Sequence, residues 1–363
     1  MSITKSLFAE YVDKYFAGVV KSYTEKWNGQ RKEEQHLLPE MSTEEYSADM
    51  TFTSTSLNHS VVAADVVSLS SPLPLKQRGS IGKATGVIPK IGLKFSINEK
   101  ELSDLMVMGA RGAKEQEIVR RVLNDVPNAI KGVDVRNEIL FEQGLSTGVI
   151  AVGDDKNTGV AIRLDFGYKA ENIVSSTLPW GNAGYTPATD IAKIFAAADA
   201  AGNKIGVLLI SKKYFDLFRS SEEGKLMSAN FRQLTYTAST KLPQPSRQQM
   251  IDAMTDEYGC EIIVVNTTCQ YEKNGQKESY KPWEQANIVG IPQKKIARVV
   301  YGTLVEEARP VDGVTYEKSG NYILVSKFAH NEPLEEFTAA QALCIPVIDD
   351  VDQIYLLKAD QTA

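Results

Sequence analysis

The amino-acid sequence predicts an α+β fold, in which helices and hairpin strands occupy separate stretches of the chain. A long, charged helical pattern starts near Asn98 and continues to about Gln143. Two pairs of short β-type runs, each joined by turn residues, predict hairpins, and further short strands close the chain. With 363 residues, the chain is long enough for two or three domain-sized units.

The composition is that of an ordinary soluble globular protein, with 43% hydrophobic and 24% charged residues and a formal net charge of −6. This acidity argues against a dedicated duplex-DNA binder, whose domain is usually basic. Cys260, Cys269 and Cys344 are widely spaced, which fits a reducing compartment and predicts buried thiols rather than disulfides. No apolar run approaches the roughly 20 residues that span a bilayer, and residues 1–10 lack a signal-peptide pattern.

The first twenty residues predict a strongly amphipathic helix with Thr4 as its N-cap. Its apolar side chains recur at helical spacing: Leu7, Phe8, Tyr11, Val12, Tyr15, Phe16, Val19 and Val20. Such a helix packs either on the core of its own chain or on a neighbouring subunit, and the sequence leaves both interpretations open. The charged stretch Glu25–Ser47 predicts a linker, and Thr51–Leu69 has β tendency.

A cationic stretch without a single Asp or Glu runs from Val66 to Ile97. Its cations are Lys76, Arg78, Lys83, Lys90 and Lys94. Prolines and glycines interrupt the stretch throughout, so it cannot offset the entropy of its own ordering with a core of its own. We therefore expect a reaching arm whose five cations make contacts between subunits, with acidic surfaces of a neighbour as partners.

A long helix is predicted directly after this stretch. Asn98 is placed to cap it, with Glu101 three residues later completing a capping box. Pro127 is expected to kink or interrupt the helix, because proline lacks the backbone N–H. The helical pattern then resumes to about Gln143, and Gly144 is the predicted stop.

The remaining elements are hairpins, short helices and strands. Strands are predicted at Gly148–Val152 with Val160–Phe166, at Ile205–Ile210, at Cys260–Asn266, at Thr267–Glu272 with Lys277–Tyr280, at Ile288–Ile291, at Ala297–Val305, at Tyr322–Lys327, and at Ala342–Ile348 with Gln353–Ala359 around an Asp349-Asp350 turn. Helices are predicted from Thr186 or Thr189 to near Gly202, over Lys212–Arg219 and over Ser246–Tyr258.

No group of residues predicts catalysis, a metal site or a cofactor. The run Gly79–Ala84 comes near the phosphate-binding P-loop pattern, but Gln77 stands where the first glycine is required and Ala84 where Ser or Thr must bind magnesium. The three histidines, His36, His59 and His330, are far apart and pair with no Cys or carboxylate at ligand spacing. We therefore expect no enzyme and no bound cofactor.

Three stretches, in order along the chain, carry a resemblance to a known family. The first is Val66–Ile97 with its continuation Asn98–Leu102. The second is Tyr271–Lys277 with Pro282, Ile288–Gly290 and Arg298–Tyr301, which is similar to a "YxxNGxKxxxxP…VLG…R…YG" run. The third is Pro346–Leu357, two closing strands around an aspartate turn. Together they resemble major capsid proteins of tailed bacteriophages, specifically those like the lambda capsid protein E, from about Val61 onward.

The resemblance implies the Hong Kong 97-type capsid fold. Its parts map to an N-terminal arm at 1–59, an extended loop at 60–97, a peripheral domain with the spine helix at 98–185 and 301–363, and an axial domain at 186–300. It implies self-assembly into hexamers and pentamers of an icosahedral head enclosing double-stranded DNA. It also implies portal, scaffolding and decoration proteins as partners, and assembly in the cytoplasm of a bacterial host.

In such a shell the cationic arm would meet acidic surfaces such as Glu99–Asp104 or Asp349–Asp352 of a neighbour, and the net acidity predicts only weak, non-specific contact with DNA. Two other interpretations are weighed against this one. The first is a nucleotide- or nucleic-acid-binding enzyme that uses Gly79–Lys94 as a phosphate loop. The second is another virion part, such as a tail-tube or decoration protein, which the long spine helix disfavours.

Overall fold

The computed structural model describes residues 3–33, 36–55, 83–153, 162–235, 242–273 and 276–362. They divide into two compact units, the first from the described parts of 1–52, 85–140 and 298–347 and the second from the described parts of 53–84, 141–297 and 348–363. The helices are α1 (Ala9–Glu33), α2 (Leu38–Met41), α3 (Glu99–Ala110), α4 (Glu115–Val122), α5 (Val126–Thr147), α6 (Pro187–Ala200), α7 (Lys212–Ser220), α8 (Glu222–Phe231), α9 (Arg247–Tyr258) and α10 (Val305–Ala308).

The strands are β1 (Ile3–Thr4), β2 (Ser42–Tyr46), β3 (Thr51–Thr55), β4 (Lys83–Val87), β5 (Lys90–Ile97), β6 (Val149–Val152), β7 (Ile162–Asp165), β8 (Ile173–Ser176), β9 (Val207–Ser211), β10 (Glu261–Val265), β11 (Cys269–Lys273), β12 (Gln276–Tyr280), β13 (Asn287–Ile291), β14 (Ala297–Gly302), β15 (Thr315–Ser319), β16 (Ile323–Asn331), β17 (Leu334–Ile348) and β18 (Tyr355–Thr362).

A seven-stranded sheet forms the centre of the first unit. Its longest strand, β17, pairs antiparallel with β16 along one edge and with β5 along the other. Strand β14 also pairs with β17 and carries β2 at the end of the sheet, while β1 and β15 pair with the far side of β16. The second half of the cationic stretch is therefore part of this sheet.

Helix α1 packs on the first unit of its own chain. Its buried side chains, spaced as one helical face, are Val12, Phe16, Val20 and Trp27, and Phe8 is buried just before the helix begins. The helix lies against β15. Of the two interpretations of this amphipathic helix, the one that packs it on its own core is confirmed.

The predicted N-cap of this helix is wrong. Thr4 lies in β1, paired with Ala329, whose carbonyl accepts a hydrogen bond from Thr4 Oγ1 at 3.3 Å. The helix begins only at Ala9. Ser6 takes the local role of a cap, because its Oγ accepts a hydrogen bond from the backbone N–H of Phe8 at 3.1 Å.

The predicted linker Glu25–Ser47 is also wrong, because buried carboxylates of α5 fix this stretch to the first unit. Trp27 Nε1 donates to Asp134 Oδ2 at 2.9 Å. The backbone N–H groups of Leu37 and Leu38 donate to the Glu138 carboxylate at 2.6 and 3.1 Å. Both acids are buried, so they order a polar segment whose composition alone is typical of a loop.

The predicted long helix is three helices, α3, α4 and α5. Its start is confirmed: the Glu101 N–H donates to Asn98 Oδ1 at 3.0 Å, and the Asn98 N–H donates to Glu101 Oε2 at 3.2 Å. The predicted interruption at Pro127 is confirmed, because α4 ends at Val122 and α5 begins at Val126. Pro127 is the second residue of α5, where a missing N–H costs nothing, so it helps to start this helix.

The prediction that Gly144 ends this helix is wrong, because Gly144 lies buried inside α5. A Cβ at this position would lie 3.0 Å from Ile150 Cγ1, so Gly144 permits a close approach of the following strand. The helix ends at Thr147, and Gly148 follows with a φ of +76°. Gly148 is therefore the C-terminal stop.

The second unit contains a five-stranded sheet in the order β10-β9-β13-β18-β8. Its two end pairs, β10 with β9 and β18 with β8, are parallel, and the two central pairs are antiparallel. Helices α6, α7 and α9 contribute apolar side chains to a core with these strands. Two hairpins, β6 with β7 and β11 with β12, complete the unit.

Most other predicted elements of the chain are confirmed within about two residues. The capping box of α9 begins at Ser246, and α6 follows Thr186. Helices α8 and α10 and strands β8 and β15 were not predicted, and β17 begins eight residues before the predicted Ala342. The turn residues Asn274 and Gly275 lie outside the described residues.

A buried ion pair ties the strands of the first unit to the end of α4. Lys327 Nζ lies 3.4 Å from Glu336 Oε1 and donates to Val122 O and to Thr338 Oγ1, each at 3.0 Å. Ser6 Oγ donates to Glu336 Oε1 at 2.5 Å. Burial lowers the pKa of Lys327, and the Glu336 carboxylate opposes that effect. The cost of burying both charges is offset only while all these partners remain.

We therefore expect Lys327→Met to lower the free energy of unfolding by about 3–5 kcal/mol, because it leaves the Glu336 carboxylate buried without its cation. The double variant Lys327→Met, Glu336→Leu should lose less than the single variant. Urea unfolding of unassembled subunits, followed by circular dichroism, measures both. An additive double variant would contradict the coupling of the two charges.

Candidate subunit interface

The structure describes the side chains of two of the five predicted contact cations. Lys76 and Arg78 lie outside the described residues, and Lys83 is the first residue of β4 with only its backbone described. Lys90 and Lys94 lie on β5. These two residues therefore define the part of the predicted interface whose geometry is known.

Strand β5 alternates between an exposed and a covered face. Lys90, Gly92, Lys94 and Ser96 are exposed, and the four residues between and after them are half-buried or buried. On the covered side, Leu93 contacts α5 at Gly132, where a Cβ would lie 2.7 Å from Leu93 Cδ1. The strand thus presents two lysines on one open face while its other face completes the first unit.

The prediction that the whole Val66–Ile97 stretch reaches away from its own chain is wrong for residues 90–97. These residues pair with β17 from Leu343 to Glu336. The period-two alternation of Ile91, Leu93, Phe95 and Ile97 with polar residues is the sequence signal that indicates such a strand. The Pro and Gly residues that break the stretch lie mostly before it.

Both lysines have partners in their own chain. Lys90 Nζ lies 3.1 Å from Glu306 Oε1. Burial raises the pKa of Glu306, but hydrogen bonds from its own backbone and from Lys90 outweigh this and leave the pKa lowered. Lys94 Nζ lies 4.7 Å from the ring centroid of Phe337. Since such exposed contacts are weak, they leave both cations available to a second partner, and a contact between subunits stays a prediction.

Of the two acidic surfaces predicted to receive these cations, one is open. Glu99, Glu101 and Asp104 are exposed on the first half of α3, directly after β5. The turn at Asp349-Asp350 is half-buried, with Asp350 at a φ of +49°. In the same turn, Asp352 Oδ1 lies 3.5 Å from Lys169 Nζ.

The two described histidines pack against side chains of the first unit. His36 is buried, with Nδ1 3.5 Å from Glu138 Oε2. His330 lies against Phe328 and Phe337, with ring centroids 5.5 and 4.9 Å apart. His59 lies outside the described residues. Over the ranges that the structure describes, no three His, Cys, Asp or Glu side chains are grouped to hold a metal ion.

The described part of the Gly79–Lys94 segment does not form a phosphate loop. Lys83 and Ala84 lie in β4, which pairs with β3 and is followed by another strand. A P-loop requires its lysine at the start of a helix whose N–H groups face the phosphates.

Among the described helices, none combines the length and apolar character needed to cross a membrane.

Comparison with solved structures identifies the fold. A prophage protein of E. coli CFT073, described as a capsid protein, is similar with a TM-score of 0.51 and 14% identity, over 89% of this chain and 92% of its own. A phage-related protein from Bordetella bronchiseptica RB50 (TM-score 0.47, 12% identity, 99% of each chain) and the cyanophage A-1(L) capsid (0.49, 14%, 90% and 92%) are also similar. The chain has the Hong Kong 97-type capsid fold.

The family follows from the sequence. The model of the phage major capsid protein E family matches residues 34–290. Comparison with curated protein sequences gives no match. The chain belongs to the phage major capsid protein E family, and its role is to form a capsid. The interpretation as a nucleotide-binding enzyme has no support.

We expect Lys90→Ala and Lys94→Ala each to lower the free energy of unfolding of the subunit by no more than about 1 kcal/mol, because an exposed ion pair and an exposed cation–π contact contribute little. Urea unfolding of unassembled subunits measures this, with Lys327→Met as the buried control in the same sheet. A loss of about 3 kcal/mol, as for a buried pair, would contradict the assignment of both lysines to an open face.

Proposed function

We propose that this capsid protein assembles into hexamers and pentamers of an icosahedral phage head that encloses double-stranded DNA. The observation that carries the proposal is the order of charge along one continuous segment. Lys90 and Lys94 are exposed on β5, and Glu99, Glu101 and Asp104 are exposed on α3 immediately after it. A chain with two complementary surfaces can bind the next copy head to tail, and such contacts close into rings.

The proposed role is purely structural, without catalysis and without a cofactor. Its partners are other copies of the chain, together with a portal, a scaffolding protein and decoration proteins, and the head assembles in the cytoplasm of a bacterial host. The formal charge of −6 supports a weak contact with the packaged DNA that has no sequence preference, since an acidic subunit neutralises few DNA phosphates.

The domains of the proposed subunit are an N-terminal arm at 1–59, an extended loop at 60–97 whose last residues, 90–97, return to the sheet as β5, a peripheral domain at 98–185 and 301–363, and an axial domain at 186–300. Strands β15, β16 and β17 of the seven-stranded sheet lie within the proposed peripheral domain, and the other strands of that sheet come from the proposed arm, loop and axial ranges. Strand β18, which the proposal gives to the peripheral domain, pairs with β13 of the axial part, and β8 pairs with β18 at the end of the same sheet. The boundary between the peripheral and axial domains is therefore part of the proposal, and a structure of the assembled particle tests it.

We expect the purified chain to form closed shells. Size-exclusion chromatography with light scattering should give a species of very large mass, and negative-stain images should show particles with icosahedral outlines. The Hong Kong 97-type fold supports a shell over a tube or a single ring. A stable monomer or dimer under every assembly condition would contradict the proposal.

Charge reversal in the arm tests its role. We expect the triple variant Lys76→Glu, Arg78→Glu, Lys83→Glu to give folded subunits that form no shells, because like charges then face the acidic neighbour. The control Lys76→Arg, Arg78→Lys, Lys83→Arg keeps every charge and should assemble. Shells from the reversed variant would contradict the role of the arm and leave the fold untouched.

Charge reversal at the acidic surfaces tests which of the two binds the arm. If the arm binds the start of α3, then Glu99→Lys with Asp104→Lys should restore shells to the triple variant. Glu101 is left unchanged because it completes the capping box. Rescue by reversal at Asp349 and Asp350 would instead assign the arm to the aspartate turn.

A further inference from the structure

An exposed apolar surface lies on the first unit around the end of β14. Its members, named here the edge patch, are Tyr46, Met50, Val87 and Val305. Val87 is 75% exposed and Val305 is 67% exposed. Single exposed apolar side chains are ordinary on protein surfaces, but a group of them that shares neighbours marks a binding surface.

Contacts of the first unit hold the edge patch together. Tyr46 OH lies 3.0 Å from Thr303 Oγ1, and its ring lies 5.7 Å from that of Tyr301. Met50 lies over Gly302, where a Cβ would be 3.6 Å from Met50 Cγ. The N–H of Ile88, next to Val87, donates to Met50 O at 2.9 Å. The end of β14 thus supports Tyr46 and Met50, and Glu306, the neighbour of Val305, pairs with Lys90 three residues after Val87.

A second exposed apolar surface lies on α3. Its members, named here the helix patch, are Met106, Val107 and Ala110, and Met106 is 51% exposed. Residues three and four apart share one face of a helix, so these side chains form one stripe. Leu102 and Leu105 are buried on the adjoining face of the helix, and the stripe lies exposed at the edge of that face.

The two patches have opposite charge around them. The segments that carry most of the edge patch, 43–50 and 303–307, contain Glu44, Glu45, Asp49, Glu306 and Glu307 and no Lys or Arg. Residues 105–114, which carry the helix patch, contain Arg111 and Lys114 and no Asp or Glu. Of the two acids that flank this segment, Glu115 pairs with Lys14, and Asp104 is left as a single carboxylate beside two cations. Both of these cations are exposed.

Part of the acidic charge at the edge patch is neutralised within the chain. Arg298 pairs with Glu45, and Lys90 pairs with Glu306. Glu307 pairs with Lys318. Glu44 accepts a hydrogen bond from Asn321 Nδ2, and Asp49 accepts hydrogen bonds from Ser47 and Thr51. Because these donors are neutral, the last two carboxylates keep the charge of the rim negative.

We propose that the edge patch of one copy packs on the helix patch of the next copy. The inference rests on the proposed function, because it requires that copies of the chain assemble, and it adds a second contact to that of the arm. Both surfaces are apolar at the centre and charged with opposite sign at the rim, which is the complementarity of a specific interface.

Charge also decides which patches pair. Two edge patches brought together would oppose the carboxylates of Glu44 and Asp49, and two helix patches would oppose Arg111 and Lys114. Like charges across an interface cost free energy. The contact is therefore heterologous, and repetition of a heterologous contact builds a ring when the rotation closes.

Cross-linking between separate chains tests the pairing. Copies with Val305→Cys and a mass tag are mixed with untagged copies carrying Met106→Cys, assembled into shells and treated with a short bismaleimide. The native cysteines Cys260, Cys269 and Cys344 are buried, so the introduced thiols react first. We expect a covalent dimer of one tagged and one untagged chain.

The matched control replaces Met106→Cys with Leu226→Cys, an exposed apolar position on α8 with 40% exposure. Shells that give no more tagged–untagged dimer than this control overturn the inference and leave the proposed function intact. Homodimers from Val305→Cys alone, or from Met106→Cys alone, overturn it in favour of a symmetric contact. In finished shells, a bulky maleimide that reacts fully with the thiol introduced at position 305 would show that no copy covers the edge patch. That result overturns the inference and leaves the patch to a partner outside the shell.

Failure of the unmodified chain to form any shell contradicts the proposed function and this inference with it. The two failures are therefore distinguishable by the assembly of the unmodified protein.

Discussion

The pairing of β5 with β17 is the interaction on which the rest of the proposed assembly surface depends. It fixes residues 90–97 against Leu343 to Glu336, and so places Lys90 and Lys94 on an open face. It also sets where α3 begins, because the Asn98 capping box follows the last paired residue. Without this pairing, the cationic strand and the acidic first turn of α3 would have no fixed relation to each other.

The same sheet explains why the first unit tolerates so many buried charges. Lys327 lies on β16 and Glu336 on β17, and their bonds reach α4 and the N-terminal Ser6. Asp134 on α5 likewise holds Trp27 of α1. Each of these charges joins segments far apart in the sequence, so the order of the first unit rests on polar contacts as well as on its apolar core.

The sequence predicted elements whose signals are local. The capping box at Asn98 and the alternating strands of both hairpins depend on residues a few positions apart, and the structure has them. The fate of Glu25–Ser47 depends instead on Asp134 and Glu138, about a hundred residues away, whose carboxylates read as solvated charges on a helix. The prediction of a reaching arm was wrong where the stretch pairs with β17, although the alternation from Lys90 to Ile97 indicated a strand.

Charge is segregated along the chain around the arm. Residues 33–75 contain seven Asp or Glu and no Lys or Arg, and residues 76–97 contain five Lys or Arg and no Asp or Glu. Strands β3 and β4, one from each segment, pair with each other, so backbone hydrogen bonds join the two segments at the base of the arm. Further along, the two segments part: the acidic residues 44–49 border the edge patch, and the cations continue on β5. A single chain therefore presents acidic and basic surfaces in fixed order, and this asymmetry favours contact with the next copy over contact with an identical surface.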